Sequence, residues 1–313
     1  MSELDLLRGL LLASMVVGPF ATQRFFAAPS RLRAAAHIGA FGCAAVGLIS
    51  SLPMLCVAWL LFCAASFALF LRARAGSLRS PRVLAACVPF VFSNIAAVWL
   101  VGGANNLHFL GYGALFSYYA ALHGNVLGWI LIGSLAALAD RDGLQRGIYL
   151  TSVLVCLVSF LLIAFGIDKL SALKPIGVLG LSIALPVAQL TFLRGVWSRN
   201  LPAFLLGGVS FAGLVFTMVL AWRNELSMPL FPWVAGIRGM ASVHGVINTV
   251  VVAPCFALAV LLDARAAGVG AAGGAKLCAN GGGGGGGGVG TIRINGMLTD
   301  GASVVSPAYT TGL

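Results

Sequence analysis

Nine runs of apolar residues, joined by connections in which arginine gathers at every second one, leave this chain few folds to choose from. The runs cover roughly residues 5–23, 34–51, 53–71, 83–102, 107–139, 147–166, 174–193, 202–222 and 234–262. Most reach the ~20 residues needed to cross the hydrocarbon of a bilayer. Backbone in lipid must satisfy its own polar groups, so each run predicts a helix; a transmembrane barrel needs period-two alternation, which the runs lack. Composition closes the soluble alternative. The chain is 60% hydrophobic and 9% charged, against about 25% charged in a soluble domain, whose surface must face water. The expected fold is all-α: a polytopic transmembrane helix bundle of about nine spans.

The excess of 19 Lys+Arg over 8 Asp+Glu reads as topology rather than as a polyanion-binding face. With the N-terminus outside, the inside connections hold twelve basic residues: Arg24, Arg31, Arg33, Arg72, Arg74, Arg79, Arg82, Arg141, Arg146, Arg194, Arg199 and Arg265. The outside connections hold three, Lys169, Lys174 and Arg223. No run interleaves several basic residues with aromatics, so nucleic acid is not an expected partner. The bilayer is, and the expected location is a bacterial inner (cytoplasmic) membrane with a cytoplasmic C-terminal tail. The acidic start "MSELDLLRGLL" suits an outside N-terminus and not the positive region of a cleaved signal.

Residues 1–265 form the expected helical domain, and 266–313, with eight consecutive glycines, a disordered tail. The glycine tract lacks the strand, helix and GK[ST] of a phosphate-binding loop. Six of the seven cysteines lie inside apolar runs without CxxC spacing and read as small packing residues; Cys56 and Cys63 alone make a poor metal site. The run 107–139 is too long for one simple crossing, which predicts either an interfacial start or a break near "HGN", where Gly124 tolerates one.

Spans 2–5 and 6–9 suggest a weak four-plus-four parallel repeat after span 1. The last span of each set carries His-Gly (His123, Gly124; His244, Gly245) and ends in aspartate (Asp140; Asp263).

All eight acids, among them Glu3, Asp142 and Asp168, fall in tails, connections or span ends. That removes the clustered carboxylates of prenyl-pyrophosphate chemistry and the mid-membrane carboxylates of many ion-coupled carriers. No HExxH and no GxSxG appears. Histidine remains. At about 100° per residue, an unbroken fifth span would place His108, Tyr112, Tyr119 and His123 in one narrow stripe. On the last span Trp233, Met240, His244 and Asn248 form another, with His244 and Asn248 spaced to hydrogen-bond.

Three readings stay open. The histidines are helix-packing groups; or they line a small-ligand, lipid or translocation site; or His108, His123 and His244 supply ligands to haem iron or another metal. A membrane enzyme with a histidine general base is disfavoured, since no carboxylate or nucleophile accompanies it. Arg238 reads as a snorkelling residue or an anion contact at the outer mouth, with Arg223. His37 reads as interfacial. Prolines such as Pro89 and Pro186 kink their spans.

At these residues the chain resembles the YndJ-like integral membrane family. The resemblance rests on "LHFLGYGAL", with His108, Phe109 and Gly111 to Leu115, and on "MASVHGVIN", with Met240, His244, Gly245 and Asn248. It covers roughly residues 5–265 and departs at "FLGYG" and in lacking a long hydrophilic extension. The family has no established reaction, so the resemblance implies a polytopic membrane fold and interest in His108 and His244, without a substrate.

Overall fold

The computed structural model describes residues 2–141 and 143–266. Asp142 and the segment beyond Ala266, where the glycine-rich tail is expected, lie outside the described residues. Among the described residues are nine helices long and apolar enough to cross a membrane. They are α1 Glu3–Phe26, α2 Arg31–Ile49, α3 Val57–Ala73, α4 Pro81–Ala104, α5 Ala114–Arg141, α6 Arg146–Asp168, α7 Leu173–Val196, α8 Leu201–Glu225 and α9 Met240–Ala266. A short antiparallel hairpin, β1 Trp233–Val234 and β2 Ile237–Arg238, precedes α9. The chain is a multi-pass all-α bundle.

Local chemistry fixes the helix ends. Ser2 caps α1: its hydroxyl accepts from the Asp5 N–H while the Asp5 carboxylate accepts from the Ser2 N–H. Ser30 and Asn200 cap α2 and α8 through their side chains. Pro81 opens α4 where a missing N–H costs nothing. The hairpin turns through Ala235 and Gly236, both at positive φ (51° and 79°), a primed turn in which glycine is strain-free.

The core is centred on α5, 89% of whose most apolar stretch is buried, against 22–56% for the other spans. Large apolar side chains such as Leu61, Leu154, Phe165, Ile176 and Ile183 point outward, a surface suited to lipid rather than water. Small residues bring helices close. A Cβ on Gly177 would lie 2.5 Å from the Ser159 carbonyl oxygen, so α6 and α7 nearly touch backbone to backbone.

Two span boundaries differ from the sequence reading. Residues 105–113 are not part of α5; positive φ at Asn106, Leu110 and Gly111 breaks the chain there, around a single 3₁₀ turn, Phe109–Gly111. Residues 234–238 belong to the hairpin rather than to α9. The break near "HGN" takes another form: Gly124–Leu131 is a π-helical stretch inside a continuous α5.

His37 is a packing group. Pro19 has no N–H to give to the Met15 carbonyl four residues earlier, and His37 Nε2 donates to that oxygen from α2 at 3.0 Å. Its ring stacks on Phe62 with centroids 5.5 Å apart.

The two four-helix sets have matching ends. Asp140, closing α5, lies 3.8 Å from Arg74, which stands between the second and third helices of its set. Asp263, near the end of α9, is bound by Arg199, which stands between the second and third helices of the other set. Both His-Gly segments are π-helical or adjoin a π-helical stretch, Gly124–Leu131 in α5 and Met240–Gly245 in α9.

Candidate functional site

The two His-Gly helices meet through α1. Asn125 Nδ2 of α5 donates to Ser14 Oγ of α1 at 3.0 Å, and Gly245 of α9 has Leu10 of α1 as its neighbour. At the hairpin end Glu3 joins all three elements. Its carboxylate accepts from Tyr119 Oη of α5 at 2.7 Å and from Arg238 Nε and Nη2 of the hairpin at 3.1 and 2.9 Å. Two charge-assisted bonds from one guanidinium fix orientation as well as distance. The same hydrogen bonds raise the Arg238 pKa above its ordinary value, keeping the side chain charged.

Below this knot lie the two imidazoles. His123 Nδ1 bonds the Tyr119 carbonyl one turn back at 2.8 Å, and His244 Nδ1 bonds the Thr217 carbonyl of α8 at 3.1 Å. A carbonyl accepts only, so Nδ1 carries the proton in each ring. Each neutral ring therefore keeps a lone pair on Nε2, which has no hydrogen-bond partner among the described residues. His123 is exposed although it stands on the most buried helix.

Asn248 serves this arrangement indirectly. Its Nδ2 donates to the His244 backbone carbonyl at 2.9 Å and not to the imidazole, and its Oδ1 accepts from Thr217 Oγ1 at 3.2 Å. His244, Thr217 and Asn248 thus form one closed set across α8 and α9. The i, i+4 spacing was read as a side-chain pair; the imidazole is instead taken by a carbonyl on the neighbouring helix.

The structure brings Tyr119, His123, Arg238, His244 and Asn248 into one region and leaves the other sequence candidates apart. His108 and Tyr112 precede α5, so the four-residue stripe does not form. Tyr112 stacks on Phe116 with centroids 3.9 Å apart, and His108 stands beside Gly113. Trp233 is on the hairpin, off the α9 face, while Met240 opens α9 half-buried. Arg223 is also separate, donating to the Met228 carbonyl at 2.8 Å. The anionic partner expected for Arg238 is internal, Glu3.

Glu3 and Thr217 are the residues that sequence reasoning passed over. Glu3 was placed with the tail acids, yet "SELD" carries a capping-box pattern that puts it in the first turn of α1. No group of three or more His, Cys, Asp or Glu among the described residues is placed to hold a metal ion. Comparison with known proteins finds no matching family model, no similar curated protein and no similar solved structure.

Proposed function

We propose that this multi-pass membrane protein binds, or passes, a small ligand in the crevice shared by α1, α5 and α9, with His123 and His244 at its centre. The observation that carries this is the pair of imidazoles, each with Nδ1–H committed to a carbonyl and Nε2 left as an acceptor. A ligand offering an N–H or O–H suits two such acceptors. The π-helical distortion of both helices is a further support, since π-bulges are frequent at functional sites. Resemblance to the YndJ-like family at "MASVHGVIN" belongs to this reading and supplies no substrate.

The packing alternative predicts a different result for the same variants. A purely structural His244 loses its packing and its added hydrogen bond to the Thr217 carbonyl when removed, which costs about 1–3 kcal/mol. A ligand site does not depend on its binding groups for stability. The expected result for His123→Ala is a change in unfolding free energy within about 0.5 kcal/mol, read by thermal unfolding in detergent. A loss near 3 kcal/mol would mark His123 as a packing group and sink the proposal.

A second reading, haem held by the two imidazoles, is favoured by one detail. Metal-ligating histidines usually donate their other ring N–H to a carbonyl or carboxylate, as both rings do here. The ultraviolet–visible spectrum of the purified protein decides it. A Soret band that shifts on reduction and is lost in His123→Ala or His244→Ala would replace the small-ligand reading; its absence from well-folded protein removes haem.

The orientation proposed with this function puts the hairpin and Glu3 outside and the arginine-rich end in the cytoplasm, on the asymmetry of basic residues. Gly76, exposed and with open space at its Cβ, is a site for a reporter cysteine. Gly76→Cys in intact cells is expected to resist a membrane-impermeant maleimide and to react after permeabilisation. Labelling of intact cells would invert the topology.

A further inference from the structure

A cavity of about 390 Å³ lies at the arginine-rich end, bounded by α1, α2, α3, α4 and α5. Its walls are mostly apolar and aromatic. Phe70 and Phe90 stack with centroids 4.6 Å apart, and the Arg74 guanidinium sits over the Phe70 ring at 5.4 Å. Leu69, 52% exposed, also lines it, so the cavity opens sideways toward the surface that faces lipid.

The polar groups in this lining are unbalanced. Arg74 Nη1, Trp129 Nε1, Gln23 Nε2 and Arg33 Nε are all buried atoms with no hydrogen-bond partner among the described residues, and all are donors. Arg74 is only 6% and Trp129 only 1% exposed. No acidic residue lines the cavity. Buried donors left unmet are costly, so a chain that gathers four of them around one space provides for an occupant that brings acceptors.

The second helix set supplies a comparison. There the corresponding arginine, Arg199, is held by Asp263 through three contacts of 2.9–3.1 Å. Arg74 is paired with its aspartate, Asp140, at 3.8 Å through Nη1, too long for a hydrogen bond, and that buried Nη1 has no hydrogen-bond acceptor among the described residues. One set satisfies its arginine internally; the other turns its arginine into a cavity.

We infer that this cavity is a binding site for an anionic amphiphile: an oxyanion head, phosphate or carboxylate, on Arg74, Arg33, Gln23 and Trp129, with an apolar chain leaving past Leu69 into the bilayer. Charge-assisted bonds to two guanidinium groups select the head, and the phenylalanine walls accept the chain. The site shares no residue with the histidine crevice and does not rest on its proposed role.

The test uses the full-length protein in detergent, with dioctanoyl phosphatidylglycerol, dioctanoyl phosphatidylcholine and inorganic phosphate as probes and thermal shift as the readout. Phosphatidylglycerol is expected to raise the unfolding midpoint in a saturable way, with phosphatidylcholine inactive. Inactive inorganic phosphate then identifies a lipid head group as the source of the anion, and active phosphate a free oxyanion. Arg74→Gln is expected to weaken the response about tenfold or more. If that variant fails to fold, Trp129→Phe removes only the Nε1 donor and should weaken binding several-fold. Equal responses to phosphatidylglycerol and phosphatidylcholine, no response to any probe, or an unchanged response in the folded variants would overturn the inference.

Discussion

Replacing Asp263 by asparagine is expected to lower the unfolding free energy by about 3 kcal/mol, the largest effect of any single charge in the bundle. The Asp263 side chain is 2% exposed, beside an Arg141 that is itself largely buried. Its two oxygens take Arg141 Nη2 at 2.8 Å and three contacts from Arg199. Asparagine keeps the shape but offers one acceptor, no charge, and an N–H₂ directed at a guanidinium. The penalty is chiefly that of removing the charge that two guanidinium groups share at one buried carboxylate. Arg199→Gln should cost less, about 1 kcal/mol, since Arg199 is 57% exposed and its ion pair is weakened by solvent. Thermal unfolding in detergent reads both, with the Asp263→Asn midpoint lower by roughly 5–10 °C. A shift below about 1 kcal/mol would mean that water reaches Asp263 and that α5 and α9 are not clamped at this end.

The number and length of the spans were legible because the bilayer dictates both. The errors fall where apolar sequence is not helix. Leu107, Phe109, Leu110 and Tyr112 extend the apolar run into α5, yet they form a connection in which Phe109 lies against Gly102 and Trp99 and Tyr112 stacks on Phe116, while Leu107 and Leu110 are exposed. Hydropathy cannot separate such a segment from a helix. The start of the last span fails for the same reason, although Ala235-Gly236 between Val234 and Ile237 is a hairpin signal in its own right.

Candidate site residues were legible where type alone sufficed. Histidine is rare in membrane helices, so His123 and His244 stood out, and they fall in one region. What periodicity could not reach is which neighbour satisfies each ring. His37 is explained only by the carbonyl that Pro19 frees, 22 positions away. Asp140 and Asp263 mark the ends of the two sets in the sequence, but that each pairs with an arginine from the connection between the second and third helices of its set depends on tertiary packing. The π-helical stretches leave no signature in apolar spacing.

Gly128→Ala is the sharpest probe of how α5 is seated, with an expected loss of about 1–3 kcal/mol from overpacking. "GNVLG" places Gly124 and Gly128 one turn apart on the face that meets α4. A Cβ on Gly124 would lie 2.9 Å from the Ala96 Cβ; on Gly128 it would lie 2.1 Å from Phe92 Cγ and 2.5 Å from Phe92 Cβ. The ring cannot relieve this by a small tilt, because Phe92 is buried edge-to-face against Phe160 with centroids 4.8 Å apart. Either Phe92 changes rotamer or α5 moves away from α4. Combining Gly128→Ala with Phe92→Ala should therefore cost less than the sum of the single losses, by about 1–2 kcal/mol. Displacement of α5 would also carry His123, one residue before this face begins, relative to α1 and α9. If Gly128→Ala leaves the unfolding midpoint unchanged and shows no coupling to Phe92, the α4–α5 contact is not as close as described.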